Sequence, residues 1–115
     1  MESRVSATIA MEIGQLQAEN SPLRGTVVIR NPNGLHMRPA MMIVKLAGRY
    51  QSAVTIRRQE RVANGKSVTN LMSLAAPPGA VLELEVVGED AHIALPVLAK
   101  ALAALSSEDL ELMMK

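Results

Sequence analysis

The chain has 115 residues, a formal net charge of +1, 49% hydrophobic residues and no cysteine, which is the composition of a single globular domain. The near-neutral charge gives no support to nucleic-acid binding or to general attraction by an anionic membrane, and the lack of cysteine excludes disulfides, thiolate nucleophiles and Cys-ligated metals. The first residues are unlike a signal peptide, and no apolar run reaches the roughly 18 residues of a membrane helix. We therefore expect a cytoplasmic protein.

Residues 1–23 are predicted to be an N-terminal extension, either a marginal helix or a disordered lead. Apolar residues with helical spacing occur at Val5, Ile9, Ile13 and Leu16. Gly14 interrupts this pattern, and the breakers in AENSPLRG end it. The folded domain is expected over residues 24–107, followed by a tail over 108–115.

From Gly25 onward, hydrophobic periodicity and turn residues predict four strands and three helices. In chain order these are strand 26–30, helix 39–50, strands 52–56 and 60–64, helix 67–75, strand 81–87 and a final helix within 88–105. The charged turn RRQ (57–59) joins the second and third strands. Gly48 fits the end of the first helix and Ser67 the N-cap of the second.

The strand over 81–87 has the cleanest alternation, with Leu82, Leu84 and Val86 on one face and two glutamates on the other. The expected buried face of the first helix contains Ala40, Met41, Ile43, Val44 and Ala47. That of the last helix, with Asp90 as N-cap and Pro96 bending its first turns, contains Ile93, Val97, Leu98, Ala101, Leu102 and Leu105. One-sided strands need helices over one face of an antiparallel sheet, so the fold class is α+β.

The turn NPNG (31–34) delivers His36 to the start of the first helix. A strict application of the proline preference places Pro39 at the first helical position and Arg38 outside helical geometry, although either helix start leaves unpaired amides beside His36. Unpaired helix-end amides and the Arg38 guanidinium would form an anion site beside an imidazole, which is a competent nucleophile near neutral pH. This arrangement suits a histidine that accepts and releases a phosphoryl group. The alternatives are an incidental surface histidine or a passive anion site, and His92 is expected to be a solvated surface residue.

Two segments, NGLHMRPA (33–40) and NGKSVTNLMSL (64–74), carry a resemblance to a known family. They resemble the HPr family, the histidine-containing phosphocarrier proteins of the bacterial sugar phosphotransferase system. The first segment matches the family form Gly-(Leu/Ile)-His-x-Arg-Pro-Ala, and the second is similar to the family's regulatory serine segment. The resemblance runs from about Gly25 to Leu105 at the usual separation of the two motifs. It implies an open-faced sandwich in which a four-stranded antiparallel sheet is covered on one face by three helices.

The resemblance also implies residue roles. His36 resembles the histidine phosphorylated at Nδ1, and Arg38 the arginine that contacts the phosphate. The residues expected to shape the loop and helix start are Asn33, Gly34, Met37 and Pro39. Ser67 resembles the serine phosphorylated by HPr kinase/phosphorylase, although Val-Thr-Asn follows it where Ile-Met-Gly is commoner. The candidate partner surface consists of Met37, Leu71 and Met72.

The resemblance implies a phosphocarrier, which we expect to be a monomer without metal or cofactor. Its expected partners are enzyme I, which would phosphorylate His36, and an enzyme IIA domain, which would take the phosphoryl group. The alternative is a regulatory HPr-like module, read by kinases or transcription regulators without sugar transport. An intact His36 favours the carrier, because a purely regulatory module has no need for a nucleophile there.

Overall fold

The computed structural model describes residues 21–104. The chain there forms β1 (Leu23–Val28), α1 (Met37–Ala47), β2 (Ala53–Arg58), β3 (Arg61–Asn64), α2 (Val68–Ser73), β4 (Val81–Val87) and α3 (Ala91–Ala104). This is the predicted order of elements. The expectations for residues 1–20, for Leu105 and for the tail over 108–115 lie outside the described residues.

The four strands form one antiparallel sheet in the order β1-β4-β2-β3. In β4, an interior strand, Leu82, Leu84 and Val86 are fully buried while Glu83 is exposed. The helices pack on the face that these apolar residues share, because only that face offers a continuous core. The predicted open-faced sandwich is confirmed.

The helices bury narrow faces against the sheet. In α1 the buried residues are Pro39, Ala40, Ile43, Leu46 and Ala47, and in α3 they are Ala91, Ala94, Leu98, Ala101 and Leu102. Two expected core residues are instead exposed: Met41 by 53% and Ile93 by 51%. The alanines let the helix backbones lie close to the sheet. Only a narrow stripe of each helix therefore contacts the core, and the residues beside this stripe are exposed.

Two strand boundaries differ from the prediction. β1 covers Leu23–Val28 rather than 26–30, and β2 extends through Arg57 and Arg58, so that Gln59 and Glu60 form the turn into β3. Arg58 pairs with Arg61 across this turn, and Gln59 has φ 54°. Two-residue hairpins need a left-handed residue, usually Gly or Asn. Since Gln gives no such signal, the sequence placed the turn two residues too early.

Asp90 precedes α3 as predicted, and its carbonyl accepts the amides of Ile93 and Ala94 at 3.0 and 2.9 Å. Its carboxylate holds the loop between α1 and β2 by accepting the amides of Gln51 and Ser52 at 2.8 and 3.0 Å, together with the Ser52 hydroxyl. The hydroxyl bond, followed by the Gln51 amide, lowers the pKa of the Asp90 carboxyl. Because the pKa of Asp90 is lowered on folding, the ionised carboxylate stabilises the fold above the ordinary pKa of Asp. This stabilisation is lost as the pH falls through the pKa of Asp90 in the folded state.

Candidate functional site at the start of α1

His36 is the N-cap residue of α1, with φ −106° and ψ −178°. Its carbonyl accepts the first helical hydrogen bond, from the Ala40 amide at 3.0 Å. Its side chain is partly exposed and makes no capping bond to the helix. The imidazole is therefore not committed to holding the helix end, and it can meet a ligand or another protein.

The start of α1 corrects one sequence expectation. The helix begins at Met37, so Arg38 is helical and Pro39 is the third helical residue rather than the first. Proline is tolerated there because N–H groups of the first turn have no intrahelical acceptor. The amides of Met37 and Arg38 lie in this first turn, directly after His36, and the Arg38 side chain is exposed. No acidic residue lies in the first turn. The first-turn amides, the dipole of α1 and the Arg38 guanidinium therefore favour the binding of an anion beside the imidazole.

The loop before His36 is folded by Asn31, which was not among the predicted site residues. The Asn31 side-chain oxygen accepts the Asn33 amide at 2.9 Å, and its carbonyl accepts the Gly34 amide at 2.9 Å. An Asn that accepts the amide two residues on is the signature of an Asx-turn. The sequence signal that could have identified this turn is Asn31, the first Asn of NPNG. Asn33 itself is exposed and enters this turn through its backbone.

Gly34 lies against the connection between α2 and β4. It has φ +68°, and a Cβ added to it would be 2.5 Å from the Ala76 carbonyl oxygen and 3.1 Å from Pro77 Cα. The same carbonyl accepts the Leu35 amide at 2.9 Å. Only glycine fits this close approach, and the contact fixes the residue next to His36. The sequence did not identify residues 76–77 as part of this region, because the contact is long-range.

Ser67 is the N-cap of α2, as predicted, and its hydroxyl accepts the Asn70 amide at 3.2 Å. Asn70 is one of the three residues that depart from the common form of this segment. Its side-chain oxygen accepts the Asn64 amide at 3.1 Å, and its carbonyl accepts the Ser73 hydroxyl at 2.6 Å. The asparagine therefore ties α2 to the end of β3, which gives this departure a structural role.

The candidate partner surface changes in composition. Leu71 is fully buried in the core, so its assignment to a partner surface is wrong. Met72 is half-buried and packs against the core. Met37 and Met41 are each 53% exposed and lie one turn apart on α1. Met41 was missed because it was assigned to the buried face of α1.

The second histidine, His92, is exposed in the first turn of α3, as predicted. Within residues 21–104, no three His, Asp or Glu side chains are grouped so that they could hold a metal ion. Over the same range, no helix combines the length and apolarity needed to cross a membrane.

A family model described as the PTS HPr component phosphorylation site matches residues 23–104. This span contains the whole sheet, the three helices and His36. The chain belongs to the HPr family, the phosphocarrier proteins of the phosphotransferase system.

Relatives and solved structures agree with the family match. The phosphocarrier protein HPr of Xylella fastidiosa (strain 9a5c) is 32% identical over 87 residues, which cover 76% of this chain and 98% of that protein. The HPr structure from Bacillus anthracis str. Ames has a TM-score of 0.69 at 32% identity, covering 72% of this chain and 99% of that one. Crh, the Bacillus subtilis catabolite repression containing protein, has a TM-score of 0.60 at 37% identity, covering 69% of this chain and 91% of that one. The Crh structure is an intertwined dimer with a swapped domain.

Proposed function

We propose that this chain is a phosphocarrier in which His36 accepts a phosphoryl group from phosphorylated enzyme I and passes it to an enzyme IIA-type acceptor. The observation that supports this most directly is the position of His36. Its uncommitted imidazole precedes the first-turn amides of α1 and the exposed Arg38. A passive anion site would need the amides and the arginine but no nucleophile.

In the proposed transfer, the Nδ1 lone pair of neutral His36 attacks the phosphorus of the enzyme I phosphohistidine. The new N–P bond forms as the N–P bond to the donor histidine breaks, and the donor nitrogen keeps the electron pair. Negative charge on the phosphoryl oxygens is met by the Met37 and Arg38 amides and by the guanidinium. Because the same type of bond is broken and formed, the group can move onward to a second acceptor just as readily.

The proposed partner surface surrounds the site with Met37, Met41 and Arg38. Methionine packs adaptably against different surfaces, which suits a protein that must meet a donor and an acceptor in turn. In this proposal the domain over residues 24–107 works as a cytoplasmic monomer without metal or cofactor, and the segments 1–23 and 108–115 are not needed for transfer.

The direct test is to incubate the full chain with enzyme I and phosphoenolpyruvate and to map the phosphate by mass spectrometry. The expected product has one acid-labile phosphate, located on His36. Purified phosphoprotein should then lose this phosphate to an enzyme IIA domain. A chain that remains unlabelled, or that carries the phosphate on His92, would contradict the proposal.

Arg38→Ala is expected to fold normally and to accept phosphate roughly ten- to a hundredfold more slowly. The side chain is exposed, so little packing is lost, whereas a charge-assisted contact to the phosphoryl group is worth about 1.5–3 kcal/mol. The measurement is the single-turnover rate from enzyme I, with circular dichroism as the check on folding. Arg57→Ala, which removes an exposed arginine from β2, is the matched control. Equal rates for the two variants would remove Arg38 from the phosphate site.

A second candidate function is a regulatory module in which the phosphorylation state of Ser67 is read by other proteins, after modification by HPr kinase/phosphorylase. The similarity to Crh, a catabolite repression protein, favours it. So does the position of Ser67 at the start of α2, where a phosphate would meet free amides. The two functions are compatible, because His36 and Ser67 lie on different helices.

Ser67→Asp is expected to slow transfer from enzyme I about twofold while preserving the melting temperature, because Asp is also a good N-cap. In this proposal the surface of enzyme I near Ser67 is acidic, and the added charge then repels it by about 0.5 kcal/mol at ~8 Å in water. Ser67→Asn is the matched control, since it keeps the cap without the charge. The rates should converge as salt is raised. Equal rates for the two variants at low salt would contradict this electrostatic effect.

A further inference from the structure

Ala75 adopts an unusual backbone conformation just after α2. Its φ is 49°, in the left-handed region that is disfavoured for any residue with a Cβ. The residue is exposed, while its neighbours Leu74 and Ala76 are buried. The chain is therefore turned sharply at Ala75, between two anchored residues, by a residue that does not prefer the turn.

Two arginines of the β2–β3 hairpin hold this turn. Arg58 Nη1 donates to the carbonyls of Leu74 and Ala75 at 3.1 and 3.2 Å, and Arg61 Nη1 donates to the Ser73 carbonyl at 3.2 Å. Carbonyls at the end of a helix lack intrahelical partners, and a cationic donor satisfies them well. Arg58 is half-buried and Arg61 exposed, so the Arg58 bonds are less open to competition from water.

Strand periodicity explains how Arg58 reaches α2. Residues two apart share a face of a strand, and Val54 and Ile56 of β2 are buried in the core. Arg58 follows on the same face at the end of the strand. It therefore extends past the edge of the core toward the helix layer, where the end of α2 lies.

The turn at Ala75 leads directly into the residue that contacts the loop before His36. Ala76 is the next residue, and its carbonyl accepts the Leu35 amide at 2.9 Å. The same oxygen closes the space beside Gly34, where an added Cβ would be 2.5 Å away. A displacement of Ala76 would therefore move the backbone of Gly34 and Leu35, and with it the N-cap position of His36.

We propose that Arg58 is a positioning residue for His36: its bonds to the Leu74 and Ala75 carbonyls hold the left-handed turn that presents the Ala76 carbonyl to the loop before His36. Arg58 acts through the backbone and does not touch the phosphoryl group. Its effect on transfer rests on the proposed function of His36, whereas its effect on the geometry of the loop does not.

The geometry can be measured without phosphate transfer, because the chain contains only two histidines. In the NMR spectrum of the full chain, Arg58→Ala should shift or broaden the imidazole signals of His36 and leave those of His92 unchanged. Arg57→Ala, a change of the neighbouring exposed arginine, should change neither. Unaltered His36 signals in Arg58→Ala would overturn the proposal.

Transfer and rescue give the second readout. At a temperature well below melting, Arg58→Ala should slow single-turnover phosphorylation about three- to tenfold, and adding Ala75→Gly should restore most of the rate because glycine accepts the left-handed turn by itself. A slow double variant with normal stability would overturn the mechanism. If Arg58→Ala does not fold, Arg58→Lys replaces it in both experiments. Lysine carries a point charge without the guanidinium fork, so we expect the same shift of the His36 signals and the same rescue by Ala75→Gly. The absence of both effects would overturn the proposal.

The two proposals can fail separately. If wild-type protein accepts no phosphate from enzyme I but the His36 signals still respond to Arg58→Ala, the function of the site is wrong while the positioning role stands. If wild-type protein is phosphorylated on His36 but neither signals nor rate respond to Arg58→Ala, the positioning role is wrong while the function stands.

Discussion

His36→Ala will accept no phosphoryl group from phosphorylated enzyme I, yet it will melt close to the wild-type temperature. The imidazole is the proposed attacking group, and alanine has no nucleophile to replace it. Its loss should cost little stability, because the His36 side chain makes no capping bond and is partly exposed. Most surface substitutions away from buried features change stability by less than about 0.5 kcal/mol. The measurements are acid-labile phosphate per chain and thermal unfolding.

His92→Ala is the matched control, since it removes the other histidine from the first turn of α3. It should take up phosphate to the wild-type extent and at the wild-type rate. Undiminished label in His36→Ala, or loss of label in His92→Ala, would contradict the assignment. A His36→Ala variant that is also unfolded would contradict the statement that this side chain contributes little to the fold.

Gly34→Ala is expected to have the largest effect on stability, together with severe loss of transfer. The left-handed φ of +68° costs a residue with a Cβ about 1–2 kcal/mol. The new methyl would also be 2.5 Å from the Ala76 oxygen, and such crowding costs about 1–3 kcal/mol more. In a domain of this size the sum corresponds to a fall in melting temperature of roughly 10 °C or more. Calorimetry and the transfer rate from enzyme I measure the two effects.

Gly79→Ala separates the two parts of this cost. Gly79 also has a positive φ, +85°, but apart from its two neighbours in the chain no residue has an atom within 4 Å of a Cβ placed there. It should therefore lose only the conformational part, about 1–2 kcal/mol, and transfer phosphate normally. Equal losses of stability in the two variants would mean that the contact with Ala76 does not constrain the loop before His36.

Local sequence patterns alone predicted the fold class, and together with the family resemblance they led to the proposal that His36 is the phosphorylated residue. Strict alternation in β4 identified its buried residues, because a strand with one wet face leaves little choice of register. His36 was singled out by local features, a turn signal and a helix start within ten residues, and its proposed role came from the resemblance of NGLHMRPA to the HPr motif. These features depend on neighbours along the chain, so they can be read without knowing what packs against them.

The orientation of the helix faces and the long-range contacts around the candidate site depend on tertiary packing. Met41 was predicted to be buried and is exposed, whereas Leu71 was predicted to lie on the partner surface and is buried. Each helix has more apolar residues than its narrow buried stripe can accommodate. The helix α1 starts at Met37, two residues before the predicted start at Pro39, because the first turn of a helix tolerates proline at more than one position.

The long-range contacts near the loop before His36 could not be predicted from the sequence. Ala76 lies against Gly34, and Arg58 donates to the Leu74 carbonyl, and no local pattern spans these separations in sequence. The positive φ of Ala75 gave no signal either, because alanine at such a turn is unusual. In the proposed function, the local sequence thus supplies the nucleophile and the helix end, and contacts between distant segments supply the geometry in which they act.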